Sequence, residues 1–366
     1  MAIMHKKKRS EPASATTQRP TRLHHFRWDL DKTYIRTDFD TTRELIRTWL
    51  QPAEEKRGIP GARALLRELL RQDAQQADVR RVTFISGSPR QMRNVLTRKL
   101  DLDGIRPDQF ILKPNLSNLL LFRFKAIRSQ IGYKVEALLQ SRLFGEQVDE
   151  TLFGDDAEQD ALVYCLYADL IAGRIPPSQL EYILYATDVD PREAERILQL
   201  AAHLDPTQSS RVRRIFIHME RRSPMSRFDA FGTRVSPVYN WFQAALLLHA
   251  DGLLDNAALT RVVLDMQEER YTASRLTNSA RDLIHRALLT HAQLATSAGA
   301  ILSATAGLDE LNGAFAEQVA HGLQSLQQTE VLAPAEPQPM DYVRACRELR
   351  KYRREKISFP RLQLLE

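Results

Sequence analysis

From His25 onward the chain sets short apolar runs against longer amphipathic ones. Phe26-Arg27-Trp28-Asp29-Leu30, Arg80-Arg81-Val82-Thr83-Phe84-Ile85, Gln109-Phe110-Ile111-Leu112 and Thr151-Leu152-Phe153-Gly154 each predict a short buried strand. Between them, Gly61–Arg71 behind Pro60, Arg90–Lys99 and Lys134–Ser141 carry a helical spacing. Strands alternating with helices predict an α/β protein built on a parallel sheet. Ligands of such a sheet gather beyond the carboxyl ends of its strands. The acidic and hydroxyl clusters of this chain fall there.

After Asp160 the pattern turns helical. Ser178-x-x-Glu181 and Asp190-x-x-Glu193 have the spacing of capping boxes. Arg211–His218 predicts one further strand, and Pro237 to Gln328 reads as helix throughout. Residues 334–339 form a Pro-rich linker ahead of a basic amphipathic helix, Asp341–Lys356. The expected organisation is a disordered basic arm (1–22), an α/β domain (23–222) with a helical insertion at about 165–210, a helical domain (223–332), and the linker with its C-terminal helix (333–366). No repeat of fixed period is visible.

Composition narrows the function classes. With 366 residues, 43% of them hydrophobic and 27% charged, the chain has the make-up of an ordinary globular protein. Its two cysteines, Cys165 and Cys346, lie far apart, which excludes a disulfide scaffold and a cysteine zinc site and fits a reducing compartment. The formal charge of +6 comes from the ends. Lys6, Lys7, Lys8, Arg9 and Arg19 face only Glu11, and Arg344, Arg347, Arg350, Lys351, Arg353, Arg354 and Lys356 face Glu348 and Glu355. The body between is net acidic, so no specific nucleic-acid partner is expected. No stretch reaches the ~18–20 apolar residues of a membrane span, and the basic N-terminus lacks the apolar core of a signal peptide. The expected location is cytoplasmic.

Four clusters could carry chemistry. In Asp29-Leu30-Asp31-Lys32-Thr33, two carboxylates two residues apart leave a strand together, so one can attack a phosphoryl group while the other moves a proton. Ser86, ahead of Gly87-Ser88-Pro89, is either a phosphate-binding hydroxyl or a helix N-cap. Phosphoryl transfer needs a cation, and Lys113, Lys125 and Lys134 all lie between the third and fourth strands. Gly154-Asp155-Asp156-Ala157-Glu158-Gln159-Asp160 offers oxygen ligands suited to Mg²⁺, or a capping turn.

Taken in order, a strand-end Asp-x-Asp-x-Thr, a strand-end serine, a lysine on a helix and a strand-end Gly-Asp-Asp resemble the four motifs of the haloacid-dehalogenase-like phosphohydrolases. Phe84–Pro89, Tyr133–Leu138 and Phe153–Asp160, with Tyr164 following, are similar to bacterial conserved proteins related to the actin-patch-associated phosphatidate phosphatases of fungi. The resemblance covers roughly residues 24–165. It implies a Rossmann-like parallel sheet with a minimal cap, followed by an all-helical C-terminal region. It implies an Mg²⁺-dependent phosphomonoesterase in which Asp29 is the nucleophile, Asp31 the acid and base, Ser86 and Lys134 hold the phosphoryl group, and Thr33 braces the loop. Asp29, Asp155 and the Asp31 carbonyl would hold Mg²⁺, with Asp156 or Asp160 in support.

Three positions depart from that branch: Asp156 where a small residue is usual, Lys32 where an acid is usual, and Tyr133 where a histidine precedes the lysine. The gaps where specificity caps are inserted, Tyr34–Pro60 with a short helix at Thr41–Leu50, and Pro114–Gly132, are short. An open site follows, suited to a phosphate carried on a lipid, a protein or a nucleic-acid end. The basic termini offer peripheral contact with an anionic membrane or simple solubility. His24 and His25 are expected to be structural, Tyr239, Trp241 and Phe242 to pack a helix, and residues 294–308 to form a close-packed helix.

Overall fold

The computed structural model describes residues 23–37, 51–71, 79–113, 130–145, 148–332 and 340–358, the last by backbone alone after residue 350. Six strands form one wholly parallel sheet: β1 (Leu23–Trp28), β2 (Val79–Pro89), β3 (Gln109–Lys113), β4 (Asp149–Asp155), β5 (Val212–His218) and β6 (Ser236–Val238), in the order β3-β2-β1-β4-β5-β6. The basic arm, the expected Thr41–Leu50 helix, Lys125 and the Pro334–Pro339 linker lie outside the described residues.

Alternation along the strands supplies the two faces of the sheet. Phe26, Trp28, Phe84, Phe153 and Phe216 point to one side, where α1 (Ala62–Leu70), α2 (Arg93–Leu102) and α7 (Trp241–Ala250) cover them. Trp28 stacks on Phe153 with ring centroids 4.0 Å apart, and Phe153 on Phe216 at 5.2 Å. Truncating one such buried ring to alanine costs ~3–5 kcal/mol. Ile85, Leu152, Ile215 and Ile217 point the other way, against α3 (Gln130–Leu143), α4 (Asp160–Ile171), α5 (Pro177–Ala186) and α6 (Pro191–Ala201).

The helices after residue 240 continue the first of these cores. α8 (Asn256–Glu268), α9 (Ala273–His285), α10 (His291–Ala304) and α11 (Glu310–Gln324) extend one apolar cluster that runs from Phe26 to Leu326. α10 buries Leu294, Ser297, Ala298, Ala300 and Ile301 along one side, the small residues allowing close approach. Trp241 and Phe242 are fully buried, whereas Tyr239 is 42% exposed. The C-terminal helix α12 (Tyr342–Ser358) turns its apolar side onto α4, burying Tyr342, Ala345, Cys346 and Leu349 and leaving Arg344 and Arg347 exposed. Tyr342 Oη donates to the Asp169 carboxylate (2.5 Å) and the Cys165 carbonyl (3.1 Å).

Several local expectations need correction. β1 ends at Trp28, two residues early: Asp29 N–H still reaches the Phe153 carbonyl of the ladder at 2.8 Å, but the Leu30 carbonyl then accepts from Tyr34 N–H and Ile35 N–H and closes a tight loop. Helix was expected from Pro237, but Pro237 and Val238 belong to strand β6; Pro237 cannot donate to a ladder, and β6 can hold it because it is the sheet's edge. α5 opens at Pro177 with no side-chain cap, so Ser178 lies inside the helix. Asp190 does cap α6, accepting from Arg192 N and Glu193 N, while Glu193 Oε2 is buried without a partner. His24 and His25 are structural, each holding a neighbouring strand through Thr151 (2.9 Å) and Thr83 (2.8 Å).

Candidate active site

Because β1 lies between β2 and β4, the chain leaving β1 meets the ends of both neighbours. Asp29 follows β1, Ser86 sits where β2 shifts register, Asp155 closes β4, and Asp160 opens α4. Lys134 enters from the first turns of α3. Gly154 makes the junction possible, since a Cβ there would fall 2.5 Å from the Asp160 side chain. Asp160 thereby folds back so that Oδ2 accepts from Asp155 N–H at 3.1 Å.

Lys134 Nζ is the hub. It donates to Asp29 Oδ1 at 2.8 Å, Glu158 Oε2 at 2.9 Å and Asp160 Oδ1 at 2.5 Å. All three of its hydrogens are therefore committed to carboxylates. Asp29 Oδ2 accepts from Thr33 Oγ1 at 3.1 Å. Asp31 turns to β2, where Oδ2 accepts from Ser86 Oγ at 2.9 Å and Ser88 Oγ at 2.7 Å, and Ser86 Oγ accepts from Ser88 N–H. Asp155 Oδ1 accepts from Ala157 N–H (2.5 Å) and Glu158 N–H (3.0 Å), and its Oδ2 is buried with no partner.

The carboxylates of Asp29, Asp155, Glu158 and Asp160 lie within 4.8 Å of one another. Lys134 pairs with three of these acids and Lys32 acts on Asp155 and Glu158, so the four carboxylates stay in excess over their cations. The titration shifts report that imbalance. Burial, then the neighbouring acids, pushes the Asp29 and Asp155 carboxyls well up, with Lys134 working against the rise. Burial alone would depress the Lys134 ammonium, but Asp160, Asp29 and Glu158 outweigh it and hold its pKa well above the usual lysine range. For Glu158, Lys134 overcomes burial and the pKa falls. Burial also raises Asp31, with the Ser88 and Ser86 hydroxyls partly offsetting it.

A divalent cation fits this donor set: all-oxygen, over-charged, with one lone oxygen, Asp155 Oδ2, left without a hydrogen-bond partner. Asp156 does not belong to it. Its carboxylate accepts from Arg221 N–H (2.8 Å) and Ser223 N–H (2.9 Å), so it clamps the loop after β5, and its expected role as a metal residue is corrected. Asp31 reaches Ser86 and Ser88, and its side chain lies outside the four-carboxylate group.

Of the two candidate lysines among the described residues, Lys134 is the one bonded to Asp29; Lys113 instead lies 5.8 Å from the Tyr133 ring centre. Tyr133 Oη donates to the Ser86 carbonyl at 3.2 Å, fixing the end of β2. Tyr164 Oη likewise donates to the Phe153 carbonyl at 3.0 Å. Two contributors were not singled out from sequence: Glu158, inside the acidic run, and Ser88, two residues beyond Ser86. Their signal was adjacency to motif residues. His218 had none. It ends β5 beside Asp155, stacks on Trp241 at 5.2 Å, and is held neutral by burial with a pKa lowered to about 4.

No curated protein and no solved structure matches the chain. Residues 28–177, less than half of the chain but every residue of this cluster, match the family model described as "Phosphatidate phosphatase APP1, catalytic domain", and that stretch is what the protein shares with phosphatidate phosphatases.

Proposed function

We propose that the protein is an Mg²⁺-dependent phosphatase of the haloacid-dehalogenase-like type, releasing phosphate from a phosphatidate-like lipid monoester through an aspartyl-phosphate on Asp29. The observation that carries this reading is the convergence of Asp29, Lys134, Asp155 and Asp160 beside an Asp31 held by two serines, inside the stretch that matches phosphatidate phosphatases.

Asp29 and Asp155 would hold the cation, with Glu158 and Asp160 in reach. When bound, Mg²⁺ supplies positive charge that offsets the phosphoryl oxygens and keeps the buried carboxylates ionised. The rest is done by the chain. A carboxylate oxygen of Asp29 attacks phosphorus, and the ester P–O bond breaks. Asp31, whose Oδ2 already accepts two hydroxyl hydrogens, carries its proton on Oδ1 and gives it to the departing alkoxide. The Asp31 carboxylate then takes a proton from water as that water attacks phosphorus, the bond to Asp29 breaks, and inorganic phosphate leaves. Lys134 holds Asp29 in place and, by handing one hydrogen from a carboxylate to the phosphoryl group, offsets charge there.

Both gaps that decide how enclosed the site is contain residues outside the described set (38–50 and 114–129). Among the described residues no helix is long and apolar enough to cross a membrane, so a lipid substrate would be met from outside the bilayer. The test is phosphate release from short-chain phosphatidate, a nucleotide, a sugar phosphate and a phosphopeptide, with Mg²⁺ and with EDTA. Mg²⁺-dependent release, fastest from phosphatidate and absent in a folded Asp29→Asn variant, is expected. Undiminished release by Asp29→Asn would sink the nucleophile assignment, and preference for another phosphate would sink the lipid clause.

A further inference from the structure

The opposite end of the sheet has the opposite charge. A cavity of about 1090 Å³ opens at the amino ends of β1, β2, β4 and β5, lined by Arg80, Arg211, Arg213 and Arg214 with Asp149 and Asp251 among its acids. It lies one strand length from the carboxylate cluster, about 20 Å at the ~3.3 Å rise of a parallel strand. Among the described residues of this wall four guanidinium groups stand against two carboxylates, and Arg80 gives Nη1 to the Leu69 carbonyl at 3.2 Å. His24, on the same wall, adds no charge at neutral pH, because burial lowers its pKa to about 4.

The two acids orient their arginines without using up their donors. Arg213 gives Nε to Asp149 Oδ2 at 2.6 Å, and Arg214 gives Nε and Nη2 to Asp251 at 2.7 Å each. Asp149 Oδ1 also accepts Arg211 N–H at 3.0 Å, which fixes the backbone there. The Arg211 guanidinium itself makes no ion pair or hydrogen bond among the described residues, and Arg211 is exposed. The wall is thus a set of planar forks, two of them held by acids on the sheet and on the turn after α7. Such forks match phosphate oxygens pairwise.

The geometry points to a second, anion-binding site here, which takes a soluble ligand with two or more phosphate charges. Several guanidinium forks on one wall match the paired oxygens of a pyrophosphate-like group better than those of a single monoanion. The cavity exceeds the ~300–1,000 Å³ of ordinary small-molecule sites, leaving room for the body of a phosphorylated metabolite. The site is independent of the catalytic reading: nothing in it belongs to the carboxylate cluster.

Calorimetric titration of the full chain with pyrophosphate in EDTA tests it, since without a divalent cation the acidic cluster repels the probe. Saturable one-to-one binding is expected, weakened at least tenfold by Arg211→Glu and at least threefold by Arg211→Ala. Arg211 makes no side-chain pair with a described residue, so both variants should keep the parent's melting temperature. Asp29→Asn, at the other end of the sheet, should leave the affinity unchanged. Absence of binding by the parent, equal affinity in Arg211→Glu, or weakening by Asp29→Asn as large as that by Arg211→Glu would each overturn the proposal.

Discussion

Two buried ionic clusters sit on the same sheet and differ in one respect, which is whether their acids are matched by cations: one acid faces two arginines in the first, and four acids crowd together in the second. In the structural one, Glu150 of β4 receives Arg27 Nε and Nη2 at 3.0 and 2.9 Å, Arg142 Nη1 at 3.0 Å and the Tyr167 hydroxyl at 2.7 Å. Arg27 and Arg142 are further bonded to Ser141 and Ser210. Burial opposes the Glu150 charge, but its two arginines overwhelm that and lower its pKa to about 2. In the catalytic candidate four acids share Lys134, with Lys32 acting on Asp155 and Glu158, and burial pushes Asp29 and Asp155 up. A matched buried cluster holds the fold, whereas an unmatched one stores a demand for an external charge.

The comparison breaks most sharply at Asp155. Replacing it with Asn removes a charge and the unpartnered oxygen's anionic character. Phosphate release is expected to fall roughly a thousandfold, several kcal/mol of lost charge stabilisation. Measured in EDTA, the same variant should melt no lower than the parent, since it relieves repulsion. A large drop in melting temperature would mean that the cluster is structural after all.

Glu150→Gln is the converse. It strands Arg27 and Arg142, which are buried and share the one acid. Breaking such a cluster costs ~3–5 kcal/mol, read as a shifted denaturation midpoint, with phosphate release per folded molecule little changed. Acid should find the same weak point. A carboxyl depressed from its usual 4.5 to about 2 stabilises the fold above pH 4.5, and loses that contribution as pH falls toward 2. The shift corresponds to roughly 3 kcal/mol. His24, His25 and His218, lowered to about 4, 3 and 4, start the decline earlier: unfolded histidines take up protons below about pH 6.5, and the buried ones resist. Chemical denaturation at stepped pH should therefore show the parent losing, between pH 4.5 and about 2, a stabilisation that Glu150→Gln lacks throughout.

The difference between the clusters also explains what sequence could and could not reveal. Five strands announced themselves because buried parallel strands are dense in Phe, Ile, Leu and Val, and the acids at their ends stood out against that background. β6 did not, since three residues around Pro237 carry no periodicity. Asp29, Ser86, Lys134 and Asp155 were found through their order along the chain. Asp155 and Asp156 could not be told apart, because adjacent carboxylates look alike in sequence. Only the partners decide: Asp156 faces the N–H groups of Arg221 and Ser223, more than sixty residues away. The matched cluster left no motif either. Arg27, Arg142 and Glu150 form an ion-pair set only once β1, α3 and β4 are packed. The arginine-lined cavity is the same case: its charges come from three separate strands and a helix end, in a body that is net acidic.

The smallest effect is the finest test. Ser88 and Ser141 each place one hydroxyl on a buried or half-buried charged group: Ser88 Oγ donates to Asp31 Oδ2 at 2.7 Å, and Ser141 Oγ accepts from Arg27 Nη1 at 2.7 Å while donating to Gln109 at 2.5 Å. Each hydrogen bond to a charged partner contributes ~1.5–3 kcal/mol. In Ser141→Ala that loss should appear as lowered stability, with turnover unaltered, because Arg27 touches nothing that reacts. In Ser88→Ala the stability loss should be the smaller of the two, because Asp31 keeps its bond from Ser86. Asp31 keeps Ser86 but loses half of its anchorage, so kcat should fall about tenfold while KM stays put, since Ser88 bonds the proton carrier and not the lipid. Equal stability losses with no change in turnover for either variant would mean that Asp31 is as structural as Arg27, and the division between matched and unmatched clusters would no longer separate folding from catalysis.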